Sequence, residues 1–168
     1  MKLNQIQLHL NAYKENDQIL DAANYIVESF GLESENFAGF DFRHELEAKS
    51  VLLTTEGALG EMQTVKIPRN LFDFDLPLVL NLLAHEMLHV RQKEVGKIVE
   101  DKNEREFQAY YEMLFHRHFP QIPNASPFFQ KQFSEKAFEY YRRMGENSQL
   151  QAKYKAQKEE IEKLIESL

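Results

Sequence analysis

The sequence predicts an α+β fold that is mainly α, and three observations carry the prediction. Apolar residues recur at helical spacing in several long stretches between Asn16 and Leu168. Ser50–Thr55 and Met62–Ile67 are strand-like instead, with a turn containing Gly57 and Gly60 between them. The stretch Leu82–Val90 sets His-Glu-x-x-His inside one of the helical runs, and the rest of the chain is organised around it.

Taken in order, Ile6, Leu8 and Leu10 alternate with polar residues, which predicts a short strand. Ile19, Leu20, Ala23, Ile26, Val27 and Phe30 then follow a helical period that Gly31 stops. From Glu33 to Glu45 the mixture of Gly39, several Phe and both charge signs predicts irregular chain. Ser50–Thr55, extending back to Leu46, and Met62–Ile67 predict an antiparallel hairpin or small sheet that Pro68 ends. A long helix starts at Asp73 or Asp75, with Pro77 in a first turn that can spare its N–H. Leu76, Leu78, Val79, Leu80, Leu82, Leu83, Met87, Leu88 and Val90 surround its axis, so it belongs in the core. Arg91, Gln92 and Lys93 mark its emergence into solvent, and Gly96 breaks it. Two more helices run over 103–119 and 128–144, divided by a loop containing Pro120, Pro123 and Pro127.

The 168 residues suit a single domain with a real core. Residues 146–168 form a peripheral C-terminal helix whose thin stripe of Leu150, Tyr154, Ile161, Leu164, Ile165 and Leu168 suits docking or self-association. A formal net charge of -7 and a pI near 5.4 argue against a nucleic-acid partner. The chain has no cysteine, so any metal must be held by His and carboxylate. No stretch reaches the roughly twenty apolar residues of a membrane span, and residues 1–13 lack a signal-peptide core. The expectation is a soluble, cytoplasmic protein.

On a helix, residues four apart share a face, so His85 and His89 can aim their imidazoles at one metal ion. Glu86, about 100° round the axis, can reach a water there without ligating the metal. The pair of ligands and the base form the metallopeptidase pattern. Burying these polar groups in so apolar a helix is costly unless something satisfies them, and a metal does so. A catalytic Zn²⁺ usually takes three protein ligands. Downstream candidates for the third are Asp101, Glu104, Glu106, Glu112, His116 and His118. Glu106 is preferred, because residues 90–105 allow a second helix to fold back and Ala109 lets the two approach closely. Glu104 is the rival, since the phase of that helix is not fixed to within a residue or two.

Over roughly Val65–Glu112 the chain resembles gluzincin-type zinc metallopeptidases, in which a His-Glu-x-x-His helix precedes a helix carrying a glutamate ligand. Glu106-Phe107-Gln108-Ala109 is similar to the Glu-x-x-Ala-Asp motif of the prenyl-protein (CAAX) proteases, whose membrane helices are missing here. Asn103-Glu104 is similar to the Asn-Glu pair of thermolysin. The first likeness implies Glu106 as ligand, the second Glu104. Both families put an aspartate four residues after the ligand, where this chain has Tyr110 or Gln108. The resemblance implies a zincin-like core, and an edge strand (Thr64–Ile67 or Val51–Thr55) that binds a peptide or protein substrate by β-addition.

The expected activity is peptide hydrolysis, with Glu86 taking a proton from a zinc-bound water and passing it to the leaving amine. Tyr110, Tyr111, His116, His118, Tyr140 and Tyr141 are candidate donors to the oxyanion. The alternative is a metal-binding interaction or regulatory module without activity; hydrolysis of a non-peptide amide is a third reading. The simpler explanations are a hydrogen-bonded pair of core histidines for His85 and His89, and for Glu104 or Glu106 a solvated helix start.

Overall fold

A computed structural model describes residues 2–44 and 52–168. The fold is α+β and mainly helical, as the apolar periodicity predicts. Its helices are α1 (Leu3–Glu15), α2 (Ile19–Ser29), α3 (Leu76–Gln92), α4 (Lys102–Phe115), α5 (Pro127–Arg143) and α6 (Gln149–Ser167). The strands β1 (Phe37–Phe42), β2 (Thr54–Glu56) and β3 (Gln63–Ile67) form one sheet in the order β1-β3-β2. Among the described residues no helix is long and apolar enough to cross a membrane.

Two expectations for the N-terminal part are corrected. The stretch around Ile6–Leu10 is helix α1 and not a strand. Ile6 and Leu10 are fully buried while Leu8 between them is 69% exposed, so the true period is Leu3, Ile6, Leu10, Tyr13. An i,i+4 pair satisfies both a helical and an alternating pattern, and tertiary burial decided between them. The stretch expected to be irregular contains β1, which pairs parallel with β3. Gly39, at φ +129, sits where the register shifts between Phe37 and Gly39, and this bulge hides the alternation of Phe37, Phe40 and Phe42.

β2 and β3 pair antiparallel, as expected of the hairpin, but β1 makes the sheet mixed. The segment Leu46–Val51 of the expected first strand lies outside the described residues. β3 is the central strand, so Thr64–Ile67 cannot act as a free edge; β1 and β2 are the two edges, and β2 is the one that borders Glu86.

Fourteen of the seventeen residues of α3 are buried, which follows from apolar residues on nearly every side of it. Asp75 occupies its N-cap position, without a capping bond from its side chain. Leu80, Leu83 and Met87 are fully buried, and truncating any one to Ala is expected to cost about 2–5 kcal/mol. One face of α3 packs with α1, α2 and the sheet, and Leu78 joins a second cluster built from α4, α5 and α6. The stripe of α6 is used within the chain: Tyr154 and Ile161 are buried, and Leu150, Leu164 and Ile165 pack on that second cluster.

Candidate metal centre

Down the length of α3 runs a line of buried polar residues: Asn81, His85, His89 and Gln92, with Glu86 beside it. The spacing of four, four and three residues keeps the first four on one face. Asn81 ties down the N-terminal end. Its amide donates to the carbonyls of Pro77 and Pro123 at 2.8 and 2.9 Å, and its Oδ1 lies 2.8 Å from His116 Nε2.

Next along the line, His85 and His89 bring their Nε2 atoms to 3.1 Å. Glu106, from the second turn of α4, completes the group. Its carboxylate oxygens lie 3.3 Å from His89 Nε2 and 3.6 Å from His85 Nε2. A tetrahedral ion with bonds of about 2.0–2.1 Å separates its ligand atoms by about 3.3 Å, which these three spacings bracket. The cluster could therefore hold a metal ion. Burial lowers the His89 pKa, but its bond to Glu106 and the charges of Glu86 and Glu106 outweigh burial and raise it. Burial likewise pushes the Glu106 carboxyl up, and the two histidines together pull it well below the usual carboxylate range.

Glu86 faces the same space from α3. Its Oε2 accepts a bond from Thr55 Oγ1 at 2.6 Å, so β2 holds the carboxylate from across the cleft. Neither strand propensity nor local spacing announces Thr55 as a partner, because the contact spans 31 residues.

Behind the histidines, the carboxylate partner expected from gluzincins is replaced. His89 Nδ1 lies 2.8 Å from Gln92 Oε1. Gln92 Nε2 donates to the Arg105 carbonyl and to Gln108 Oε1, which fixes the amide so that His89 is the donor to Gln92. Gln108 in turn donates to the Tyr154 hydroxyl at 2.6 Å, and Tyr154 donates to Glu104. The expectation that Gln92 emerges into solvent is corrected: it is 4% exposed. Its place three residues after His89 on the buried polar line was the available signal. His85 Nδ1 faces the Met113 sulfur at 3.1 Å.

The other candidate ligands lie elsewhere. Glu104 meets Lys153 Nζ at 2.8 Å and Tyr154, both on α6. Asp101 caps α4 through the Glu104 N–H. The buried Glu112 accepts the backbone N–H groups of Arg117, His118 and Phe119, holding the chain that leaves α4. His116 is the left-handed C-cap of α4, at φ 49, and bonds Asn81.

The cluster opens into a cavity of about 810 Å³ between α3, α4, α5 and the approach to β2. Of the six candidate oxyanion donors, Tyr110 and Tyr140 line it, stacked with ring centroids 6.0 Å apart. Tyr111 bonds Glu160 instead, and Tyr141 the Gln151 carbonyl, both on α6. Glu135, Lys136, Glu139 and Arg142 of α5 also reach the cavity, and no motif or spacing in the sequence marks them.

No family model, curated protein or solved structure matches this chain. Fold and site together define a mainly helical α+β protein with a His-His-Glu group able to take a metal ion.

Proposed function

We propose that this protein is a zinc-dependent metallopeptidase with a zincin-like core of the gluzincin kind. The observation that carries the reading is the spacing of 3.1–3.6 Å among the donor atoms of His85, His89 and Glu106, with Glu86 opening on the same cavity. Two imidazoles and one carboxylate, with no thiolate, form a donor set suited to Zn²⁺. When bound, the ion supplies Lewis acidity at the attacking water and at the scissile carbonyl. Glu86, steadied by Thr55, takes the proton from that water and delivers it to the leaving amine.

Tyr110 suits the role of oxyanion donor. Burial, then the charge of Glu106, raises its pKa, so the hydroxyl keeps its proton. Its ring packs edge-on against His85 with centroids 4.7 Å apart, which keeps it beside the metal group. Edge strand β2 borders Glu86 and offers backbone for β-addition of a peptide.

A second reading, a metal-binding interaction or regulatory module, is favoured by one observation. Among the described residues no carboxylate stands behind either histidine, only Gln92 and Met113. Metal analysis of the purified protein, followed by peptide-library cleavage with and without chelator, separates the readings. Bound zinc with chelator-sensitive cleavage is the expected result. Bound metal with no cleavage favours the second reading, and a metal-free, inactive protein sinks both.

A further inference from the structure

A second, smaller cavity of about 250 Å³ adjoins the metal group on the side away from α5. It shares Leu53, Glu86 and Glu106 with the large cleft, so the two meet at the reacting centre. Three cations line it: Lys93 from the C-cap of α3, and Lys102 and Arg105 from the first turns of α4. Among the described residues none of the three is in an ion pair. Lys93 Nζ donates to the Gly57 carbonyl at 3.2 Å, and Arg105 Nη1 to the Val99 and Glu100 carbonyls at 2.8 and 2.7 Å. Neutral acceptors fix these side chains without cancelling their charge.

The α5 side of the site differs. There Lys136 pairs with Glu139 at 3.1 Å, and the acidic and basic residues are mixed. Two carboxylates also face the small cavity, Glu86 and Glu106. A divalent ion on His85, His89 and Glu106 offsets those two charges and leaves the three cations in excess. That is an unusual local balance for a chain with 27 acidic residues against 20 Lys and Arg.

We infer that the small cavity is a carboxylate subsite, selecting peptides with a C-terminal carboxylate or an acidic side chain within one residue of the cleaved bond. The inference rests on the peptidase reading and deepens it. The opposite side of the scissile bond meets Leu82, Phe133, Tyr110 and Tyr140, which suit an apolar or aromatic residue. A carboxylate is held by charge-assisted bonds from Lys and Arg, stronger than bonds between neutral partners. Subsite choice then comes from charge on one side and apolar area on the other.

The test uses zinc-loaded protein and matched peptides. One ends in a free carboxylate just beyond the cleaved bond, one is its amide, and two amidated versions carry Glu or Gln there. At least one carboxylate peptide should show kcat/KM about tenfold or more above its neutral twin. Which one wins tells a chain terminus from a side chain. A binding measurement keeps the subsite separate from turnover. Calorimetry on zinc-loaded Glu86→Gln protein compares N-acetyl-glutamate amide with N-acetyl-glutamine amide. The glutamate probe should bind about tenfold more tightly, and Lys102→Gln, alone and with Lys93→Gln, should shrink that difference at unchanged zinc content. Selective binding without cleavage of any peptide would keep the subsite and remove the peptidase reading. Equal binding of the two probes, or selectivity that survives Arg105→Gln added to both lysine substitutions because the carboxylate sits on zinc itself, would overturn the subsite whatever the protein cleaves.

Discussion

Gln92 accepts a hydrogen bond from His89 across one turn of α3, its Oε1 lying 2.8 Å from Nδ1. The bond sets the ring so that Nε2 points at His85 and Glu106. A neutral amide orients the imidazole and raises its basicity, but without the full charge that a carboxylate would add. Gln92 is itself held by Arg105 and Gln108 of α4, so the pair also fixes α3 against the helix that brings Glu106.

Replacing Gln92 with Leu should therefore lower zinc affinity about 10–100-fold, the usual effect of losing an orienting partner. Gln92→Glu supplies a charge to His89 but sets a carboxylate oxygen against the Arg105 carbonyl and Gln108 Oε1 to which the amide donates, so it should restore only part of the affinity lost in Gln92→Leu. Competition with a chromophoric chelator reads both values. Unchanged affinity in Gln92→Leu would show that the bond is incidental.

Glu86→Gln should leave zinc content intact and reduce peptide hydrolysis by about 10²–10⁴-fold, the range of a lost general base. Metal analysis and cleavage assays on one preparation decide this. Full activity would remove Glu86 from the proposed chemistry.

Glu104 and Glu106 should separate cleanly. Glu106→Ala is expected to cut zinc affinity by at least about 10–100-fold, since it deletes a donor and not merely its support. Glu104→Ala should keep the zinc but lose about 1–3 kcal/mol of stability, because buried Tyr154 loses its acceptor. Zinc stoichiometry and denaturant unfolding of both variants check the contrast. Loss of zinc in Glu104→Ala alone would reverse the ligand assignment.

His116 offers a pH test away from the metal group. Burial holds its pKa below the ordinary 6.5, against a smaller upward pull from Glu112. Below pH 6.5 the unfolded chain binds a proton that the folded chain resists, so this residue's contribution falls as pH falls through that window. The slope it adds is at most about 1.4 kcal/mol per pH unit. Asn tolerates the left-handed backbone at this position. Unfolding curves of His116→Asn should accordingly show a flatter decline between neutral pH and mild acid. Parallel curves for parent and variant would contradict the assignment.

What the sequence determined by itself is local. An apolar run with Pro77 in its first turn makes α3 a buried helix, and 3.6 residues per turn put His85 and His89 on one face whatever surrounds them. The helical nature of α4, α5 and α6 was legible for the same reason. What only the tertiary structure decided depends on how elements face one another. Glu104 and Glu106 stand about 200° apart round α4, so the rotation of that helix sends one carboxylate to the histidines and the other to Tyr154 on α6. Periodicity cannot supply that angle, because α4 is lined with apolar groups toward both neighbours. Ile6 and Leu10 fit two periods until burial chose between them, and β1 was hidden by a bulge at Gly39. Thr55, Lys102 and Arg105 meet the site only through the folding of β2 and α4 onto α3. Covalent geometry fixes spacing within an element; contact between elements is fixed by packing, which no short stretch of sequence contains.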